Sequence, residues 1–232
     1  MSTKKASTAK ATVPPKHRIF LVDDHPIVLS GFRLLLDSQP DLEVCGAAGS
    51  AEEALERVHG SKAELVITDL TLPGRDGLEF IRDVLTMIPG QPVLVVSMHD
   101  ELLYAERALR AGARGYLMKE AGSEKMLAAI RHVLAGNVYV SERMSARILE
   151  AFSGNHSRNT DSPVQKLSNR EFEVFRMLGE GLMTKEIAVR LHLSEKTVAV
   201  HRTHIKEKLG MKSATELTHQ AVRWVESERR GK

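Results

Sequence analysis

Between residues 18 and 135, a β-like run of three to five residues is followed, five times over, by a stretch whose apolar residues recur every three or four positions. The pairs are Ile19–Val22 with Ile27–Leu36, Glu43–Ala47 with Ala51–Val58, Leu65–Thr68 with Leu78–Met87, Val93–Val96 with Leu102–Ala111, and Gly115–Leu117 with Met126–Leu134. No other property restricts the chain so strongly. Strands joined through helices run parallel, and short strands without polar alternation must be covered on both faces. The expected fold is a doubly wound, five-stranded parallel (βα)5 unit of the α/β class. Ser50 with Glu53 reads as a capping box for the second helix, and Gly112 lies just past the fourth, where a C-terminal glycine belongs.

The β signal stops after Leu134. A connecting helix and linker are expected over 136–162, with the polar, aperiodic run SGNHSRNTDSPV at Ser153–Val164 as the divide. Four helix-period segments follow, Asn169–Glu180, Thr184–Leu191, Glu195–Leu209 and Ala214–Glu226, broken at Gly181, His192–Ser194 and Gly210. A four-helix, all-α unit is therefore expected over 163–228. Residues 1–16, rich in Ser, Thr, Lys and Ala, read as a disordered leader. A length of 232 residues agrees with two domains, 17–135 and 163–228. The single cysteine, Cys45, excludes an intramolecular disulfide and any multi-cysteine zinc site, and is expected to be a small core residue. Apolar runs of about five residues fall far short of a membrane span, and no secretory signal is evident. The expected location is the cytoplasm.

The net charge of +3 conceals a division: +4 over 1–17, −6 over 18–140, 0 over 141–161 and +5 over 162–232. A basic tail suits a polyanion, the alternative being ordinary solvated charge. The acidic body carries its informative residues at the strand ends. Asp23 and Asp24 follow the first strand, Asp69 the third, Ser97 ends the fourth and Lys119 follows the fifth. Ligands of open parallel sheets bind beyond the carboxyl ends of the strands, so these chain-distant groups are expected to converge. Three carboxylates together repel unless a cation compensates them. Hard oxygen donors suit Mg2+, and with no His or Cys in the cluster zinc is disfavoured. Lys119 and Ser97 suit a phosphoryl group, and a carboxylate can itself be the nucleophile that forms an aspartyl phosphate. The plainer alternative is that each acid caps a turn.

The runs IFLVDDHPIVLSGF, VITDLTLPGRDGLEF, VLVVSMHDE and GARGYLMKEA resemble the receiver domain of bacterial two-component response regulators, over nearly all of 17–135. The resemblance implies that Asp69 accepts a phosphoryl group from a phosphohistidine of a sensor histidine kinase. It further implies that Asp23, Asp24, Asp69 and the backbone carbonyl of Thr71 hold Mg2+. Ser97 and Lys119 would contact the phosphoryl oxygens, and Tyr116 would be the switch aromatic whose rotamer follows Ser97. Such a protein is no enzyme beyond slow self-dephosphorylation.

In the tail, Thr184–Leu191, a short break and Glu195–Lys208 have the dimensions of a helix-turn-helix, about 184–203. Ile187, Ala188, Leu191, Val198 and Ile205 are spaced to bury one face; Lys196, Arg202, Thr203, Lys206 and Lys208 lie opposite, with Ser194 as N-cap. The order LSNREFEVFRMLGEGLMTKEIAVRLHLSEKTVAVHRTHIKEKLGMKSATEL resembles the LuxR-type helix-turn-helix over 163–228. Together with the receiver this is similar to the NarL/LuxR class of response regulator. That resemblance implies double-stranded DNA as partner and a homodimer when phosphorylated. Ala199, Val200, Arg202 and Thr203 are the base-edge candidates; Lys185, Ser194, Lys196, Thr197 and Lys206 are the phosphate candidates. Ala199 stands where many relatives carry Lys or another polar residue, which makes the operator harder to infer. Leu217, Ala221 and Trp224 of the closing helix are expected on the dimer face. His192, His201 and His204 lack carboxylates at ligand spacing, and no metal is expected there. Gly179 and Gly181 are expected to end a helix.

The mechanism expected is a phosphorylation-gated transcription regulator whose resting receiver covers or misorients the recognition helix. One rival is a Mg-dependent Asp-nucleophile phosphohydrolase with an accessory helical domain, which would want an acid two residues beyond Asp69, where Thr71 stands. A helical protein-interaction module is the other.

Overall fold

The computed structural model describes residues 15–73, 75–152 and 163–230. Residues 1–14 of the expected leader and 153–162 of the expected linker lie outside them. Strands β1 (His17–Val22), β2 (Leu42–Ala48), β3 (Leu65–Thr68), β4 (Val93–Ser97) and β5 (Gly115–Met118) form one sheet in the order β2-β1-β3-β4-β5, parallel throughout. Helices α1 (Pro26–Asp37), α2 (Ala51–Ser61), α3 (Gly77–Met87), α4 (Glu101–Arg110) and α5 (Ser123–Leu134) connect and follow the strands. Helix α6 (Glu142–Phe152) comes next, then a 3-10 turn at Pro163–Lys166 and helices α7 (Asn169–Gly179), α8 (Thr184–Arg190), α9 (Glu195–Leu209) and α10 (Ala214–Arg230).

The strands lack polar alternation because both sheet faces are buried. Phe20, Val22, Val66, Val93, Val95 and Tyr116 join the core on one side; Ile19, Leu21, Leu65, Ile67, Leu94, Val96 and Leu117 fill the other. Local signals mostly act as written. Ser50 Oγ accepts the Glu53 N–H at 3.2 Å, but the Glu53 carboxylate takes the Gly49 N–H at 2.8 Å, one residue before the cap, so only half of the expected box forms. Gly112 adopts φ +104° directly after the α4 C-cap Ala111. Cys45 is half-buried, not fully buried; its Sγ lies 3.3 Å from the Ile19 carbonyl, and burial pushes the thiol pKa up. Past α5 the chain returns to the sheet. Tyr139 pairs parallel to β5, donating to the Arg114 carbonyl at 3.0 Å and accepting from the Tyr116 N–H at 2.9 Å.

In the helical unit α7 and α10 cross at Gly179, where a Cβ would stand 2.4 Å from the Ala221 carbonyl oxygen. Leu217 and Ala221 are fully buried there, and the Trp224 ring meets Phe172 and Phe175 at centroid separations of 5.3 and 5.9 Å. The expectation of a dimer face is corrected for Leu217 and Ala221, which fill the unit's own core; Trp224 packs against that core but stays half-buried. An apolar stripe on α10 reports that something covers it, not whether the cover is the same chain. Ile187, Ala188, Leu191, Val198 and Ile205 are buried as their spacing requires.

Glu171 ties this unit together. It completes a capping box with Ser168 at the start of α7 and receives Lys208 Nζ of α9 at 2.6 Å. Burial alone would raise its pKa, but the bonds from Lys208 and Ser168 outweigh it and hold the carboxyl below its ordinary range. Glu171→Gln is expected to cost about 1–3 kcal/mol at neutral pH, since Lys208 loses its charged partner. Because the folded pKa lies below the unfolded value near 4.5, this contribution is whole above that value and drains away as the pH falls. Urea melts of the two proteins should therefore differ at pH 7 and converge in acid.

Arg107 of α4 clasps the helical unit to the sheet unit. Its guanidinium donates to the Leu167 carbonyl at 3.0 Å and the Val164 carbonyl at 2.9 Å, and lies 4.1 Å from the Phe172 ring centroid. Asn169 Nδ2 donates to Asp76 Oδ1 at 2.7 Å beside it. Arg107→Ala is expected to weaken docking by about 2–4 kcal/mol, because two carbonyls lose a charged donor. Faster amide exchange across 163–172, with β1–β5 unchanged, is the readout.

Candidate functional site

Strands β1, β3, β4 and β5 end at one edge, and the residues just beyond them meet. Asp69 is 4% exposed. Its Oδ1 accepts the Leu70 N–H at 2.6 Å and the Ser97 hydroxyl at 2.7 Å, and its Oδ2 accepts Lys119 Nζ at 2.7 Å. Lys119 Nζ also lies 2.5 Å from Asp23 Oδ2. Burial works against the ammonium charge, but the two carboxylates outweigh it and keep the Lys119 pKa above its ordinary value. Asp23, Asp69, Ser97 and Lys119 thus form one hydrogen-bonded cluster from four strand ends, as the sequence order requires.

Asp24 sits beside them. Its Oδ1 is buried without a hydrogen bond, although His25 Nδ1 stands 2.7 Å away, out of line for one. A buried carboxylate oxygen without a donor, next to two further carboxylates, fits a hard cation. The sequence reading placed no histidine here; the structure corrects it, since Asp23, Asp24 and His25 bring ligand atoms within 4.8 Å of one another. The run Asp23-Asp24-His25 held that signal. Thr71 lies at the rim, with Oγ1 2.9 Å from His99 Nε2.

Tyr116 is fully buried, its hydroxyl donating to the His99 carbonyl at 2.8 Å, and burial raises its pKa. Its ring therefore already occupies the interior while Ser97 is bonded to Asp69. His99, passed over in the sequence reading, is the residue on which Thr71 and Tyr116 both close. Its position two residues after the strand-end Ser97 was the available signal.

The second candidate surface is α9. Ser194 caps it, Oγ accepting the Thr197 N–H at 3.0 Å. Ala199, Val200 and Thr203 are exposed, Val200 to 45%, as are Lys185, Ser194 and Lys196, whereas Thr197 and Lys206 are half-buried. Of the two expected forms of restraint, covering or misorienting the recognition helix, covering is corrected: its outer face is open while Arg107 holds the units together. Arg202 departs from its expected base-edge role in the free chain. Its Nη1 donates to Thr184 Oγ1 at 2.7 Å, bracing α9 against the start of α8. Among the described residues, no cluster able to hold a metal forms around His192, His201 or His204.

Residues 19–131 match the response regulator receiver domain, and residues 165–221 match the bacterial regulatory proteins of the LuxR family. The chain is 35% identical over 210 residues to the oxygen regulatory protein NreC of Staphylococcus carnosus, covering 89% of this chain and 97% of that one. It is 37% identical over the same length to NreC of Staphylococcus aureus, with the same coverage. Among solved structures, RcsB from Salmonella enterica serovar Typhimurium, bound to promoter rprA in the presence of phosphomimetic BeF3-, aligns with TM-score 0.57 at 26% identity, over 88% of this chain and 97% of that one. Two RcsB dimers bound to two parallel DNAs align with TM-score 0.55 at 26% identity, over the same shares. Among the described residues, no helix is long and apolar enough to cross a membrane.

Proposed function

Because the chain belongs to the two-component response regulators that join a receiver domain to a LuxR-family DNA-binding domain, we propose that Asp69 is its phosphoryl acceptor and that the phosphorylated chain grips DNA as a homodimer. It is a DNA-binding transcription regulator, with a sensor histidine kinase as phosphoryl donor. The domains are taken as 17–135 and 163–228, and the working compartment as the cytoplasm. The observation that carries the acceptor assignment is the pair of 2.7 Å bonds from Ser97 and Lys119 to the two oxygens of one buried carboxylate. The phosphohydrolase alternative has no support: the relatives are regulators, and Thr71 directs its hydroxyl at His99.

In the proposed transfer an Asp69 carboxylate oxygen attacks phosphorus. The new O–P bond forms as the N–P bond of the donor phosphohistidine breaks, and the imidazole leaves with the bonding pair. Lys119 and Ser97 then exchange the carboxylate for phosphoryl oxygens, one supplying charge and the other a hydroxyl donor. Asp23, Asp24, Asp69 and the Thr71 carbonyl would hold Mg2+, which when bound neutralises charge on the transferring group. Tyr116 fills the space behind Ser97 and fixes it from inside.

For DNA, Lys185, Ser194, Lys196, Thr197 and Lys206 are proposed phosphate contacts, and Ala199, Val200, Thr203 and a released Arg202 are proposed at base edges. RcsB binds DNA as dimers, and the same is proposed here. With Leu217 and Ala221 inside the core, pairing through α10 falls to the half-buried Trp224 and the exposed Glu216, His219, Gln220 and Arg223.

The test is treatment with acetyl phosphate and Mg2+, peptide mapping of the phosphoryl group, and DNA binding across a salt series. A phosphoryl group on Asp69, tighter DNA binding after phosphorylation and a steep loss of affinity with salt are expected. Labelling elsewhere sinks the acceptor assignment, equal affinity sinks the switch, and salt-insensitive binding sinks the phosphate contacts.

A further inference from the structure

We propose that His99 is the positioning residue that carries the state of the Asp69 pocket to the helical unit, through Thr71 on one side and Glu173 and Tyr104 on the other. The proposal rests on Asp69 being the phosphoryl acceptor. His99 is held by three groups of the pocket at once: its N–H faces Ser97 Oγ at 3.4 Å, its carbonyl accepts the Tyr116 hydroxyl at 2.8 Å, and its Nε2 lies 2.9 Å from Thr71 Oγ1. The same imidazole reaches the other domain. Nε2 stands 3.8 Å from Glu173 Oε1 of α7, and the ring stacks on Tyr104 with centroids 4.5 Å apart. Tyr104 meets Phe172 edge-on at 5.4 Å, and Phe172 meets Trp224 of α10.

Ser97, Tyr116 and Thr71 therefore share one neighbour that also touches α7. Burial keeps the imidazole neutral, with a pKa near 4, so it couples by hydrogen bonding and packing more than by charge. Glu173 is buried, its carboxyl pushed up, and its close ionic partner is Arg170 at 2.9 Å. When Ser97 turns from the carboxylate to a phosphoryl oxygen, the end of β4 and the His99 backbone move with it. The ring then leaves Glu173 and Tyr104, and the seat of α7 loosens. The coupling is reciprocal: a docked helical unit restrains the pocket by the same free energy.

The experiment uses the full chain with Cys45→Ser and spin labels at Glu56→Cys and Glu226→Cys, both exposed, on α2 and α10. Phosphoryl uptake from acetyl phosphate is followed by intact mass and domain separation by electron–electron distance measurement. Phosphorylation should raise the separated fraction about fivefold or more in the parent chain, and less than about twofold in His99→Ala, which still takes up the phosphoryl group. Glu173→Leu, which leaves the pocket untouched, should uncouple equally. Tyr104→Phe should respond like the parent, because the ring that stacks on His99 and meets Phe172 is kept. A parent-like response in His99→Ala overturns the relay, as does uncoupling by Tyr104→Phe, which would mark general packing damage. A parent chain phosphorylated on Asp69 without domain movement overturns the relay and leaves the acceptor standing. No phosphoryl group on Asp69 in any sample overturns both.

Discussion

Asp69→Asn takes up no phosphoryl group from acetyl phosphate, while its fold and its basal DNA affinity stay close to those of the parent. An amide offers no nucleophilic oxygen comparable to a carboxylate, so the loss is complete instead of partial. The geometry around it survives. The side-chain carbonyl still accepts the Leu70 N–H and the Ser97 hydroxyl, and Lys119 keeps Asp23 as partner. Removing one of two buried carboxylates also relieves repulsion across the Lys119 ammonium, so the melting midpoint should not fall by more than about 1 kcal/mol equivalent. Intact mass gives the first readout and fluorescence anisotropy on an operator fragment the second. An asparagine variant labelled to the parent's stoichiometry would move the acceptor elsewhere.

Lys119→Met has the largest structural effect. Asp23 and Asp69 are only 2% and 4% exposed, and the lysine is the cation between them. Without it two carboxylates share a dry site with no compensating charge, at a cost of about 3–5 kcal/mol. The raised Lys119 pKa fixes the pH window: its contribution is whole at neutral pH and is lost only as the pH rises past the ordinary lysine value of 10.5. Added Mg2+ should restore part of the loss, because Asp23, Asp24 and Asp69 then regain a counter-charge. Phosphoryl uptake should fall by about a hundredfold or more, since a charged donor to the transferring group is gone. Urea midpoints with and without Mg2+ decide the matter; a midpoint equal to the parent's in Mg2+-free buffer defeats this reading.

The sheet unit was legible because its signals are local and its topology nearly forced. Once five short runs alternate with helical stretches, residues at the strand ends must share an edge, and Asp23, Asp69, Ser97 and Lys119 do. Ser194 and Gly112 were legible because a cap depends only on neighbours in the chain. What escaped depends on placement between distant segments. The period of α10 marks Leu217, Ala221 and Trp224 as apolar, but only the close crossing at Gly179 shows that α7 covers them. Arg107 and His99 look like ordinary helix and loop residues until α7 is set against α4. Arg202 faces outward by period, yet Thr184 Oγ1 holds it.

The pairing of Tyr139 with β5 bears on where the receiver can be cut. The strand order leaves β5 at one margin of the sheet, and the returning chain occupies the Arg114 carbonyl and the Tyr116 N–H there. Gly115 makes room for it: a Cβ would stand 2.9 Å from the Tyr139 carbonyl oxygen. A receiver ended at residue 135, where the periodicity stops, keeps every helix and strand of the βα repeat but bares that margin to a second copy. Ending it at Phe152 retains the returning chain and α6. The shorter fragment should self-associate and precipitate sooner on storage, for want of a few residues that carry no helix or strand of the repeat.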